Sequence, residues 1–183
     1  MTRRDGKRAE IVDKLVGHVL DAGLGDTGLR RLADVAGTSD RMLLYYFENK
    51  EEIVGAVLGR IASDLATSLE AILGGAPMPP ARVLEAIWNT LKSDAAANQL
   101  RLWLDLSSHA SRGDPFFGEA VARIGADWID RLSAILDVPE ADKAALAVLM
   151  MAAVDGQVVL FPTDLAKGDA AIAELVTMLG RRP

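Results

Sequence analysis

The side chains best placed to do chemistry in this chain lie on a short stretch after Ser39. Arg41 and Tyr45 are four residues apart, as are Met42 and Tyr46, so each pair shares a helix face. Leu43 and Phe47 have the same spacing and form an inward face. A helix that buries Leu and Phe while presenting Arg, Met and two Tyr is shaped to touch something outside the protein. The chemistry on offer is contact, not catalysis. The chain has no cysteine, and its two histidines, His18 and His109, are far apart in sequence. H-E-x-x-H, Walker A and G-x-S-x-G patterns do not occur. An enzyme reading has no base, nucleophile or metal cluster to rest on, and no cofactor or metal is expected.

Two short helices must position these side chains. Leu29, Leu32, Ala33 and Ala36 recur at helical spacing and give the first helix one apolar stripe. Gly37 follows at once, where a residue free to take positive φ ends the helix. Ser39 is an N-cap for the second helix, with Asp40 beside the positive end of its dipole. Two short helices joined by a Gly-containing turn have the outline of a helix-turn-helix, whose second helix enters the DNA major groove. A plain helical hairpin with a solvated face has the same outline, and pattern alone leaves both open.

The residue types carry the reading further. Thr27, the run L-R-R-L-A-D-V-A-G, Ser39, Leu43, Y-Y-F at 45–47 and Lys50 with an acidic pair after it form a long, spaced pattern. This pattern resembles the DNA-binding region of the TetR family of transcriptional regulators. Leu44 and Tyr46 depart from it, where Tyr and His are common in that family. The resemblance implies that Thr27, Ser39, Tyr45, Tyr46 and Lys50 hold phosphates while Arg41 and Met42 face bases. Arg41 is the first candidate for sequence readout, because arginine on guanine is the commonest specific pairing. The resemblance further implies a homodimeric regulator, a repressor released from a palindromic operator on double-stranded DNA by a small-molecule effector. The competing function is an all-helical small-molecule-binding protein without DNA activity.

Composition sets bounds on these readings. Half of the 183 residues are hydrophobic, aromatic residues are few and alternating β-branched runs are absent, so the chain reads as all-α. Absence of cysteine excludes disulfides and fits a cytoplasmic location. The start M-T-R-R-D-G-K-R has no apolar core of a secretory signal. A net charge of −6 opposes DNA binding in sum, but residues 1–60 carry ten basic and ten acidic residues, so the whole excess falls later in the chain. Local basic clusters matter more to phosphate than the global sum, since salt screens charges beyond roughly 8–10 Å. Arg3, Arg4, Lys7 and Arg8 make such a cluster, read either as a phosphate contact or as a solubilising arm ahead of a first helix at Arg8–Ala22.

The remaining periodicity predicts about nine helices. A three-helix helix-turn-helix domain occupies residues 1–50. A helical effector-binding and dimerisation domain occupies 51–183, with the helix 51–73 connecting the two. Residues 23–28 spell G-x-G-x-x-G, but no strand precedes them, so they read as a glycine-rich turn with Thr27 capping the next helix. G-G-A-P-M-P-P at 74–80 breaks the chain. Helices are expected at 81–96, 98–111, 115–136, 139–161 and 169–180. The apolar run Ala144–Val154 is too short to cross a bilayer, which takes roughly twenty residues, and reads as a buried helix with no membrane partner.

Aromatic and sulfur side chains are spread over these later helices. Trp88, Trp103, Phe117, Trp128 and Met151, with His109 and Asp155 as polar groups, are the candidates for an effector pocket. Ordinary core packing is the competing reading for each aromatic. Helices 139–161 and 169–180 have broad apolar faces with small residues such as Ala145, Ala152 and Gly156. They suit close packing within one subunit, and the resemblance implies that they form the homodimer contact.

Overall fold

The computed structural model describes residues 3–73, 76–93 and 96–181. Among them are nine α-helices: α1 Arg3–Ala22, α2 Leu29–Ala36, α3 Asp40–Tyr46, α4 Lys50–Leu73, α5 Pro80–Leu91, α6 Ala97–Ser111, α7 Pro115–Ile135, α8 Glu140–Leu160 and α9 Asp169–Gly180. The expected all-α class is the observed one. Extended pairing among the described residues is confined to an isolated bridge between Met78 and Leu136.

The helices sort into two compact units. One comprises Met1–Leu65 and Arg101–Val121, and the other Ala66–Leu100 and Ala122–Pro183. In the first unit, Ile11, Val12, Leu15 and Val19 of α1 are buried, as are Leu32, Ala33 and Ala36 of α2. Ile53, Val54, Val57, Leu58 and Ile61 bury the first half of α4. Each large aliphatic side chain so removed from water contributes about 1.5–3 kcal/mol. Segment 101–121 joins this unit from far along the chain, which no local sequence signal announces.

In the second unit, Val83, Leu84 and Trp88 of α5 share a core with Leu132 and Leu136 of α7, Leu146, Met150 and Val154 of α8, and Ile172 and Leu179 of α9. Trp88 is pinned by its indole N–H, which donates to Asp169 Oδ1 at 2.7 Å. Lys92 Nζ donates to the same oxygen at 2.7 Å. Met78 fastens the segment before α5, donating its N–H to Ile135 O and accepting from Asp137 N–H at 2.9 and 3.0 Å.

Several boundaries differ from expectation. α1 starts at Arg3 instead of Arg8, so the basic cluster is its first turns; Lys7–Glu10 and Glu10–Lys14 pairs along it support helix there. α5 stops at Leu91, where the expected helix ran to 96; residues 94–95 of that extension, like Met1, Thr2, Gly74 and Gly75, lie outside those described. α8, expected as a buried helix over Ala144–Val154, is buried along one face. Leu146, Ala147, Met150, Val154 and Val158 face the core, while Val148, Leu149, Val159 and Leu160 are exposed. α8 is long and apolar enough to cross a membrane by length and composition, although its buried row belongs to the second core.

A glycine permits one of these close packings. A Cβ added at Gly168 would sit 3.0 Å from Trp88 Cη2 and Cζ2 and from Gln157 Oε1. The indole cannot swing away without breaking its bond to Asp169. Gly168→Ala should therefore destabilise the protein by about 1–3 kcal/mol in urea denaturation followed by tryptophan fluorescence. An unchanged midpoint would contradict this packing.

Candidate nucleic-acid interface

α2 and α3 are joined as a helix-turn-helix, and each part of the turn has a local cause. Gly37 takes φ 68° and ψ 41°, and its N–H reaches the carbonyls of Ala33 and Asp34. Ser39 is the N-cap of α3, with Oγ accepting from Met42 N–H at 3.3 Å. The hydroxyl proton of Ser39 is left free to donate outward. Leu43 is fully buried and Phe47 nearly so, which turns the opposite side of α3 to solvent.

That solvent side carries the expected residues. Tyr45 is 62% exposed and Met42 40%, and Arg41 is exposed beside them. Tyr46 is half-buried, with its ring edge-on to that of Tyr45 at 5.0 Å. Lys50 is exposed in the first turn of α4. Among the described residues, neither Arg41 nor Lys50 has an intramolecular hydrogen bond or ion pair holding its charge. The structure thus brings Ser39, Arg41, Met42, Tyr45, Tyr46 and Lys50 onto α3 and its two ends.

Thr27 is different. It is 7% exposed, and its hydroxyl donates to Leu24 O at 2.8 Å. It does not cap α2, as the sequence suggested; Gly28 stands at the N-cap, with no side-chain bond to the helix. The glycine-rich run before it is a short 3-10 turn at Leu24–Asp26, between two helices and with no strand. Gly23, at φ 72°, lets this turn approach α6, where Asp105 Oδ2 accepts Leu24 N–H at 2.9 Å. His18 lies 3.0 Å through Nε2 from Asp26 O, so it belongs to the packing of this turn.

Residues outside the helix-turn-helix hold α3 in place; their types stand out in the sequence, as a basic cluster and as the Asn49–Glu52 helix cap, but their bonds to α3 do not. Arg4 and Arg8 of α1 donate to the Tyr45 and Tyr46 carbonyls at 3.2 and 2.5 Å. Arg8 also donates to Glu52 Oε1, and Glu52 Oε2 accepts Glu48 N–H, both at 2.5 Å. Asn49 Oδ1 caps α4 by accepting Glu52 N–H at 2.7 Å. The Glu48 N–H, and after it the Arg8 guanidinium, hold the Glu52 carboxyl below the usual carboxylate range. Arg8 and Glu52 are 44 residues apart, so no local pattern pairs them.

The pocket candidates fall into both compact units. Trp103, His109 and Phe117 belong to the first, and Trp88, Trp128, Met151 and Asp155 to the second. His109 and Phe117 are in contact, with ring centroids 4.9 Å apart. Trp88 is buried in the second core, and Trp128 and Met151 pack partly buried against it. Asp155 is half-buried on α8.

Residues 20–57 match the sequence profile described as bacterial regulatory proteins, tetR family. Curated relatives include the HTH-type transcriptional regulator BetI of Brucella anthropi, 25% identical over 109 residues, covering 59% of this chain and 56% of that protein. BetI of Brucella canis is likewise 25% identical over 109 residues. The chain spans about half the length of the curated relatives it matches, 56% of the first. Among solved structures, a TetR-family regulator from Cytophaga hutchinsonii superposes with a TM-score of 0.79 at 18% identity, covering 98% of this chain and 96% of that one. FadR from Bacillus subtilis, solved with stearoyl-CoA, gives 0.66 at 18% identity over 92% and 97% of the two chains. At these identities the solved structures establish a shared fold.

The Glu52 network has a pH signature. A depressed carboxyl value in the folded state means that ionised Glu52 stabilises the fold above the ordinary carboxylate range, and that this is lost as pH falls through the folded-state value. The stability gap between wild type and Glu52→Gln should stay constant from neutrality to about pH 5 and narrow below it. Urea denaturation at a series of pH values measures it, and a gap that widens in acid contradicts the assignment.

Proposed function

We infer that this chain, which belongs to the TetR family, is a sequence-specific DNA-binding transcriptional regulator that presents α3 to the major groove. One observation carries the reading. Leu43 and Phe47 are buried, while Arg41, Met42 and Tyr45 stand in solvent on the opposite side, Arg41 without an intramolecular partner among the described residues. An unpaired guanidinium near the N-terminus of a reading helix suits the O6 and N7 acceptors of guanine, and the Met42 thioether suits an apolar base edge. Ser39, Tyr45, Tyr46 and Lys50 supply hydroxyls and an ammonium to phosphates on either side. Thr27, with its hydroxyl proton engaged, acts by fixing the turn before α2.

The regulator works as a homodimer on a palindromic operator. α8 leaves a stripe of Ala145, Val148, Leu149, Ala152, Val159 and Leu160 in solvent, and α9 leaves Met178 exposed. Water contact over so much aliphatic surface is unfavourable, and small residues within the stripe let a second copy approach closely. A two-fold pair would set its reading helices about 34–36 Å apart, one turn of duplex DNA. Release follows from a small-molecule effector that binds more tightly to a state with a different spacing of the reading helices. α4 begins beside α3 and continues into the second compact unit, so a tilt of α4 would move the reading helix. The stearoyl-CoA held by Bacillus subtilis FadR supports a small-molecule effector here, and repression lifted by it is the expected mode in the cytoplasm.

Arg41→Ala should weaken specific binding by about 1–3 kcal/mol and relax preference at one base, read by titration of labelled duplexes against single-base variants. Equal affinity of wild type and variant for every duplex would overturn the reading. Leu149→Glu should shift the protein toward monomer in sedimentation at micromolar concentration with helix content preserved. An unchanged sedimentation coefficient would remove α8 from the dimer contact.

A further inference from the structure

The last carbonyls of α3 have no helical N–H to meet them, and a helix of seven residues cannot hold itself together by backbone bonds alone. Arg4 and Arg8, one turn apart on α1, reach two of those carbonyls, at Tyr45 and Tyr46. Their positive charge sits where the helix dipole is negative. Arg8 also lies over the Phe47 ring, 4.4 Å from its centroid, and Arg4 lies 5.8 Å from the centroid of Tyr45. Glu52 fixes the other side of the Arg8 guanidinium from the first turn of α4. One arginine thereby ties α1, the end of α3 and the start of α4 together.

Basic residues at the start of such a domain invite assignment as phosphate ligands. Arg8 is a poor one, because its guanidinium is already shared between a carbonyl and a carboxylate that would repel a phosphate. We propose that Arg4 and Arg8 are positioning residues that clamp the C-terminal end of α3, and that Glu52 holds Arg8 in the clamp. Clamping sets the angle at which Arg41 and Met42 meet base edges. It governs discrimination between sequences and leaves general affinity for duplex to the phosphate contacts. This assignment rests on the DNA-reading function proposed above.

Glu52→Gln separates the two roles by the sign of its effect. It removes a negative charge near the duplex, so a phosphate-binding Arg8, once freed, would raise affinity. A clamping Arg8 loses its anchor, and affinity for the selected operator should fall about five- to tenfold while affinity for random duplex does not fall. Arg8→Lys keeps the charge but not the two-sided fork, and should lose operator affinity to the same extent. Both variants are made in the full chain and titrated against operator and random duplex at one salt concentration. Hydrogen exchange of the free protein should be faster at residues 43–47 in both variants and unchanged in the interior of α1. A gain on the operator with Glu52→Gln, a matched loss on both duplexes, or unaltered exchange at 43–47 would overturn the proposal. If the wild type showed no preference for any duplex, the DNA-reading function would fall, and the exchange experiment would still decide the clamp.

Discussion

Burial of Leu43 and Phe47 is the constraint on which the reading surface depends. α3 has only seven residues, and a helix so short has almost no stability of its own in water. It exists because these two side chains are removed from solvent, because Ser39 satisfies a free N–H at one end, and because two arginines satisfy carbonyls at the other. A helix has only one outward face once its inward face is chosen. Burying position 43 therefore places positions 41, 42 and 45 in solvent, and the chemistry of the interface follows from the packing of the core.

Much of this was legible in the residues themselves. The apolar stripe of α2, the glycine at 37 and the serine at 39 are local signals, and each acts in the structure through the mechanism its residue type implies. The all-helical class and the start of α7 are legible for the same reason: Asp114 before Pro115 is an N-cap by type, and Asp114 Oδ1 accepts the Phe117 N–H at 3.2 Å. Thr27 was misread as a cap because a threonine before a helix is a good one by type. Its hydroxyl instead turns back to Leu24, and burial decides between two local bonds that sequence cannot rank. The start of α1 was placed late for a related reason. A basic run with a glycine looks like a loose arm until the carbonyls it serves, some forty residues onward, are in view.

Long-range contributions were not legible at all. Asp105 receives an N–H from the turn at Leu24, 81 residues away, and Glu52 completes the Arg8 network across 44. Asp105 has no periodic or motif signal, and the capping position of Glu52 three residues after Asn49 is legible but says nothing of Arg8, since a carboxylate on a helix has many possible uses. The aromatic inventory shows the opposite limit. Trp88 is conspicuous by type, yet it is a buried core residue whose N–H is bonded to Asp169. Large aromatic side chains dominate cores and pockets for one and the same reason, their apolar area, so residue type cannot tell the two apart. α8 is legible as an apolar helix, but which of its apolar rows the chain itself buries is not, because hydropathy reports how much surface avoids water and not what covers it.

The central claim is that a pair of these chains reads duplex DNA through α3. Its most direct test is selection of bound duplexes from a random pool by the purified wild-type protein, followed by sequencing. The account predicts an inverted repeat whose half-sites lie about 10–10.5 base pairs apart, centre to centre, or a multiple of that spacing. A pool that stays random after repeated rounds, or that converges on a single unpaired half-site, would contradict it.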